Sequence, residues 1–408
     1  MLKPYTLLLL FLCWFCSAEA GVLTLESWRN DDRALWENTL IPAFNRKHPG
    51  IEVRYQASIP TEYDAQMNAR LANGTAGDLL ACRPFQLSQT WYKRGYLERL
   101  DGKPGMEYFP ASAQQAWQSE DNQHSYCMPV ASVLQGFLYN KKIFKQLSLQ
   151  APKTEAEFFK LLDQLKAQKA ITPIALGTAD KWEAAQILLS NVMAQYWRGE
   201  NGRLAITRAQ AKAYDADYLP AFSFLEQLAD YLPAQAAQLS YSASQQLFAN
   251  GQAAIYPMGS WDLSYFNQIP GLEFGVFAMP VKTAQDACYM LDHMDIGIAV
   301  NRKSKNKEEA WQFLEWLGSQ EFADLYTNKA TGFFSLSNHL IAVRDPVARQ
   351  MMEWRRHCQP TIRINTHFAG TKNETSFWQL SADLLNHKIK AKAAAQQFQS
   401  LLKDKTMQ

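Results

Sequence analysis

Between residues 22 and 95, three short apolar runs alternate with three amphipathic stretches. VLTLES (22–27) reads as a strand. The segment from Ala34 to Lys47 puts Leu35, Leu40 and Phe44 on one helical stripe and stops at His48-Pro49-Gly50. IEVRYQA (51–57) alternates Ile51, Val53 and Tyr55, the period of a half-buried strand. A second helix runs from Thr61 to Asn73-Gly74, DLLAC (78–82) is a third strand, and a third helix leads to Gly95. Strands and helices in strict alternation bury their apolar faces as a sheet flanked by helices, an α/β layered architecture.

The order returns further along. VLQGFLYN (133–140) is a strand, and KTEAEFFKLLDQLKAQ (153–168) is a helix opened by the capping pair Thr154 and Glu157. ITPIALG (171–177) is another strand, with a helix from about Trp182 and further helices to Asn250. In GQAAIYPMGSWD (251–262), AAIY is a buried strand broken at Pro257 and Gly259. DIGIAV (295–300) is one more strand, and the chain from Ser304 is nearly all helical, with EEAWQFLEWL (308–317) amphipathic. At 408 residues the chain is too long for one simple core. It reads as two α/β units in tandem and a helical C-terminal segment. No Pro/Gly/Ser-rich tether separates the units, so their connections double as a hinge.

The N-terminus has Lys3, an apolar run from Leu7 to Phe15, and Ala18-Glu19-Ala20. That is a secretory signal peptide over residues 1–20, and it implies an exported, periplasmic protein. Four cysteines then remain, Cys82, Cys127, Cys288 and Cys358, for which three pairings are open. Their long spacing, with no C-x-x-C, argues against a metal site, and no cofactor motif is present. The 41 basic and 39 acidic residues leave a net charge of +2, with no pull toward nucleic acid. G-x-S-x-G, G-x-G-x-x-G, Walker-type phosphate loops and H-E-x-x-H are all absent from the sequence. The paired carboxylates of a glycosidase need only meet in space, so spacing leaves that class open.

Four stretches, in order, resemble the family 1 extracellular solute-binding proteins of ABC importers, which include the maltose-binding proteins. They are FNRKHPGIEVRYQ followed by LANGTAGDLL, then LYNKKIF (138–144), ANGQAAIYPMGSWD, and DIGIAVNRKSKNKEEAWQFLEWLGS. Gly77 stands where that family usually has proline. The resemblance implies the type II periplasmic-binding-protein fold: two lobes, each a sheet flanked by helices, joined by a hinge. Lobe one would be residues 21–130 plus 291–340, and lobe two 131–290 plus 341–408. The crossings would lie near 129–132, Asp292 and Leu340. The implied function is capture of a sugar, oligosaccharide or polyol in the cleft and delivery to an inner-membrane ABC permease, by a monomer with no catalysis. A same-fold module for a membrane sensor and a secreted glycosidase are the alternatives.

A pyranose needs a flat apolar surface for its C–H face and polar groups for its hydroxyl rim. Trp261 and Asp262 supply both in adjacent positions, and the resemblance implies that this tryptophan stacks on a sugar ring. Trp28, Arg29 and Asp31 follow the first strand, and Arg83 follows the third, at the carboxyl ends where α/β folds bind ligands. Trp182 and Glu183 open a helix of lobe two, while Ser132 and His293 lie at the crossings. Trp378 sits where maltose-binding relatives carry another stacking aromatic.

Overall fold

A computed structural model describes residues 21–364 and 372–403. The signal-peptide reading of residues 1–20 lies outside them. Ten strands are formed among the described residues: β1 (Gly21–Ser27), β2 (Ile51–Ala57), β3 (Leu79–Cys82), β4 (Met128–Asn140), β5 (Thr172–Ile174), β6 (Ala253–Gly259), β7 (Phe274–Phe277), β8 (Tyr289–Val300), β9 (Phe334–Ser335) and β10 (Gln359–Thr361). Their hydrogen-bonded path runs β2-β1-β3-β8-β4-β6-β5, with β10 beside β8, and β7 and β9 beside β4.

At one end of this path β1 pairs in parallel with both β2 and β3, the pairing expected of strands linked by helical crossovers. At the other end β5 pairs in parallel with β6. The two ends are joined by β4 and β8, which pair antiparallel from Met128↔Ile298 to Leu134↔Asp292. The far half of β8 pairs with β3, and the far half of β4 pairs with β6 and β7. Each of these two strands therefore belongs to both halves of the molecule.

The packing divides at the same place. One core draws on residues 23–133 and 296–333, around Trp36, Trp117, Phe313 and Tyr326. A second draws on 137–279 and 364–402, and a third on 134–290 and 334–358. The side chains of β4 change cores between Val133 and Leu134.

Several local expectations change in instructive ways. The first helix contains a π turn at Trp36–Leu40. Trp36 is buried within it and stacks on Tyr55 at 5.5 Å, while Leu35 is only partly buried. β6 runs straight through Pro257. Ile255 turns its carbonyl toward β5, accepting from the Ala175 N–H at 2.8 Å. Pro257, two residues on, faces the same flank, where β5 has already ended, so its missing N–H breaks no ladder. β4 and β8 are longer than their apolar runs suggest, because each continues into the opposite half. The capping box at Thr154 and Glu157 forms.

The cysteine pairing left open by the sequence is Cys288–Cys358. Cys82 and Cys127 are buried thiols. The disulfide lies just ahead of β8 and β10, which pair in parallel from Gln359↔Tyr289 to Thr361↔Leu291. It therefore fixes the strand leading to Arg363 against a strand shared by both halves. The bond closes a loop with a sequence separation of 70, so its loss frees the unfolded chain. Cys288→Ser with Cys358→Ser is expected to lower stability by about 2–5 kcal/mol, read as a lower urea midpoint with little change in far-UV circular dichroism.

Candidate functional site

β6 ends in Gly259 and a single 3-10 turn, Ser260–Asp262. A Cβ on Gly259 would lie 2.1 Å from the Trp261 ring, so the indole is folded back onto the glycine. Ser260 holds the turn in place: its hydroxyl accepts from the Leu134 N–H at 3.0 Å and donates to the Gly332 carbonyl. Gly332 has φ +96°, and a Cβ there would lie 1.7 Å from the Ser260 carbonyl oxygen, so only glycine permits this approach.

The indole N–H of Trp261 donates to the Tyr241 hydroxyl at 2.9 Å, and Tyr241 donates in turn to Asp262. Asp262 also accepts from Gln245 at 2.8 Å and from the Gly259 N–H at 3.2 Å. Burial pushes the Asp262 carboxyl up to about 7, against those hydrogen bonds. The Tyr241 ring lies 4.9 Å from Trp182. Trp182 and Trp261 are both half-buried and are linked through Tyr241.

Glu183 follows Trp182 and is 1% exposed, with no hydrogen-bond partner on either carboxyl oxygen. Burial pushes its carboxyl up to about 8, and the nearby Asp180 and Asp262 carboxylates push the same way. It is held as a neutral acid at neutral pH, able to donate one hydrogen bond and accept others.

The opposing half presents cations on aromatic faces. The Arg83 guanidinium lies 4.4 Å over Trp28, and its Nε donates to Asp64 at 2.9 Å. Arg29 makes a two-pronged pair with Asp32 at 2.7 and 2.8 Å and lies 4.6 Å over Phe333. Trp28 is 4% exposed, belongs to the first core and meets Tyr63 edge-on. Asp31 is exposed, and its neighbour Asp32 takes the Arg29 pairing.

On β8, His293 is buried, with no partner on Nδ1, 6.3 Å from the Phe85 ring. Burial, then the Arg363 and Arg83 charges, hold its imidazole well below the usual histidine range, so it is neutral. Arg363 lies 5.1 Å over Trp261, and burial brings its guanidinium down to about 10 against the pull of Asp295. Ser132 points the other way: its hydroxyl and Asp292 accept from Arg355 at 2.6 and 2.8 Å. Trp378 packs against the second core with its indole N–H buried and unpaired, and makes no ring contact with the others among the described residues.

The fold thus gathers Trp182, Glu183, Trp261 and Asp262 into one cluster, and sets Arg83 and His293 within electrostatic reach of Arg363. Sequence reasoning missed Tyr241, Gln245, Asp295, Phe85 and Arg363. Asp295 shares a strand face with His293 by period two, and Phe85 shares a loop with Arg83, so both were within reach. Tyr241 and Arg363 are brought in only by tertiary folding. Phe85 and Lys181, both at the edge of the site, have positive φ of 66° without being glycine, the kind of backbone strain that gathers at functional sites. Among the described residues no group of three or more His, Cys, Asp or Glu could hold a metal ion.

Residues 30–323 match the profile of the family described as bacterial extracellular solute-binding protein. A multiple sugar-binding protein of Streptococcus mutans is 29% identical over 286 residues, 68% of this chain and 66% of that relative, so the match spans just under two thirds of its length. Among solved structures, RafE in complex with raffinose superposes with TM-score 0.78 at 19% identity, covering 93% of this chain and 98% of that one. The bacterial solute receptor AcbH, described as exclusively preferring b-D-galactopyranose, superposes with TM-score 0.81 at 15% identity, over 94% and 99%. At such identities these likenesses show the fold, two lobes about a hinge.

An acid whose folded pKa exceeds its unfolded value near 4.3 loses stability as pH rises between the two, because only the unfolded chain gives up the proton freely. For Glu183 that window runs from about 4.3 to about 8. Glu183→Gln is expected to raise the melting temperature at pH 8 and to change it much less at pH 5, read by thermal unfolding across that range.

Proposed function

Because the chain belongs to the bacterial extracellular solute-binding proteins, we propose that it is the carbohydrate-binding component of an ABC importer. It would work in the periplasm, as a monomer, and hand its sugar to an inner-membrane permease. The observation that carries this reading is the cluster at the end of β6. Two half-buried indoles, Trp182 and Trp261, are linked through Tyr241 beside the buried carboxyls of Glu183 and Asp262. That is the pairing of flat apolar surface and hydroxyl-binding groups that a pyranose requires. The names of the relatives, a multiple sugar-binding protein and a xylose/arabinose-binding protein of Haloferax volcanii, support the same ligand class.

In this reading residues 21–130 plus 291–340 act as lobe one, 131–290 plus 341–408 as lobe two, and β4 and β8 as hinge strands. The sugar stacks on Trp261 in place of the Arg363 guanidinium, and Glu183, as a neutral acid, donates to a hydroxyl. Asp262 holds Tyr241 and takes a second hydroxyl. Arg83, His293 and Arg29 approach from the other side. A sugar touching both lobes favours the closed form by its difference in affinity for the two states. Ser132, through Arg355, tunes the hinge, and Trp378 supports the second core.

Burying a sugar face on an indole is worth about 1.5–3 kcal/mol, or roughly 10- to 150-fold in affinity. A thermal-shift and tryptophan-fluorescence screen against mono-, di- and trisaccharides and polyols should give at least one saturable shift. Trp261→Ala should weaken that ligand by roughly 10- to 150-fold, with a lowered but still cooperative melt showing that the free protein remains folded. Absence of any response across the panel, with the protein folded, would sink the reading.

A further inference from the structure

One flat side of the Trp261 indole is closed by the fold. A Cβ on Gly259 would meet three atoms of the six-membered ring at nearly equal distances, 2.1, 2.2 and 2.3 Å, so the glycine lies under the face of the ring and not at its edge. A ligand can stack only on the opposite face. The Arg363 guanidinium stands over the ring, 5.1 Å from its centre, and it cannot share the side that the glycine backbone fills. Arg363 is itself 5% exposed, so the face that a sugar would need is already occupied.

The cation arrives on a short arm with a fixed root. The helix Pro346–His357 ends at Cys358, whose N–H donates to the Trp354 carbonyl at 2.7 Å. The disulfide to Cys288 lies at the same residue, and the Gln359 N–H donates to the Cys288 carbonyl at 2.9 Å. Cys288 is braced from behind: Gln195 donates to the Ala287 carbonyl and accepts from the Tyr289 N–H, each at 2.9 Å. β10 then runs beside β8 to Thr361, which donates to Glu200 at 3.0 Å. Arg363 follows closely, and its charge reaches His293. Its seat is a poor one for a cation. Burial brings the guanidinium down to about 10 against the pull of Asp295, and Arg83 repels it. Displaced into water, the guanidinium regains hydration, which offsets part of the lost contact with the ring.

We propose that the arm Cys358–Arg363 is a built-in competitor for the sugar: its guanidinium caps the free face of Trp261, and the Cys288–Cys358 bond fixes its root close by. The inference rests on the carbohydrate reading above and adds an autoinhibitory contact to it. A tethered competitor acts at an effective concentration set by its tether. Only molecules with the arm withdrawn are competent to bind, so the apparent affinity is the intrinsic affinity reduced by that fraction. Loosening the root lowers the effective concentration and raises the competent fraction.

Two measurements on the mature protein test this. Acrylamide quenching of Trp261, isolated by subtracting the signal of the matching Trp261→Phe protein, should be weak in the parent and clearly stronger in Arg363→Ala. Calorimetric titration with a sugar panel that includes galactose, xylose and raffinose should show Arg363→Ala binding about 2- to 30-fold more tightly, the range of a cation–π contact from exposed to desolvated. Cys288→Ser with Cys358→Ser keeps Arg363 but loosens its root. It should shift affinity the same way by a smaller factor, and it carries the test if Arg363→Ala does not fold. Weaker sugar binding by Arg363→Ala, as loss of a direct sugar contact would give, or quenching unchanged from the parent, overturns the competitor alone. Stronger quenching with no sugar bound by parent or variants overturns the carbohydrate reading, and the competition with it, while the cap on Trp261 stands.

Discussion

The antiparallel pairing of β4 with β8 is the constraint on which the architecture turns. A strand fully inside one half stabilises that half only, whereas these two carry their ladders from one core into the next. Arg355 reinforces the place where they cross. Its guanidinium reaches Ser132 on β4 and Asp292 on β8, and lies 5.0 Å over Phe334 on β9. One side chain from the helix Pro346–His357 thus touches three of the sheet's strands. A hydrogen-bonded ladder bends and twists more readily than it breaks, so strands shared by both halves suit a hinge between them.

The site owes its chemistry to burial without neutralisation. Glu183 and Asp262 sit among aromatic rings with too few compensating charges, and both protonate far above the ordinary carboxylate range. Across from them His293 is kept neutral by the same loss of water and by two guanidinium groups. The result is a neutral acid at Glu183 and a carboxyl poised near half-protonation at Asp262, both beside the indoles of Trp182 and Trp261. Charged groups nearby, Arg29 and Arg83, are answered by Asp32 and Asp64 and so orient the site without dominating it.

How much of this was legible in the sequence follows from the range of each interaction. Period-two and helical patterns report neighbours within a few residues, so β1, β2 and the helix Glu155–Lys166 could be read directly. The pairing of Trp261 with Asp262, and of Trp182 with Glu183, was visible because the partners adjoin in the chain. The link between the two pairs was not, because Tyr241 joins them only after folding. Asp31 and Asp32 differ by a single position, and only the geometry of the turn decides which one Arg29 meets. β6 crossed Pro257 because a strand edge with no neighbour tolerates proline, a fact about the sheet and not about the segment.

Gly259 carries a consequence for how such a site can diverge. The indole of Trp261 occupies the space where any other residue at 259 would place its Cβ. A larger residue at 259 evicts the ring, and a smaller residue at 261 leaves a void over a bare glycine. Neither single step retains a well-packed turn, so the two positions are epistatic. The steric coupling thus ties the choice of residue at 259 to the choice at 261, and a tolerated exchange changes both together.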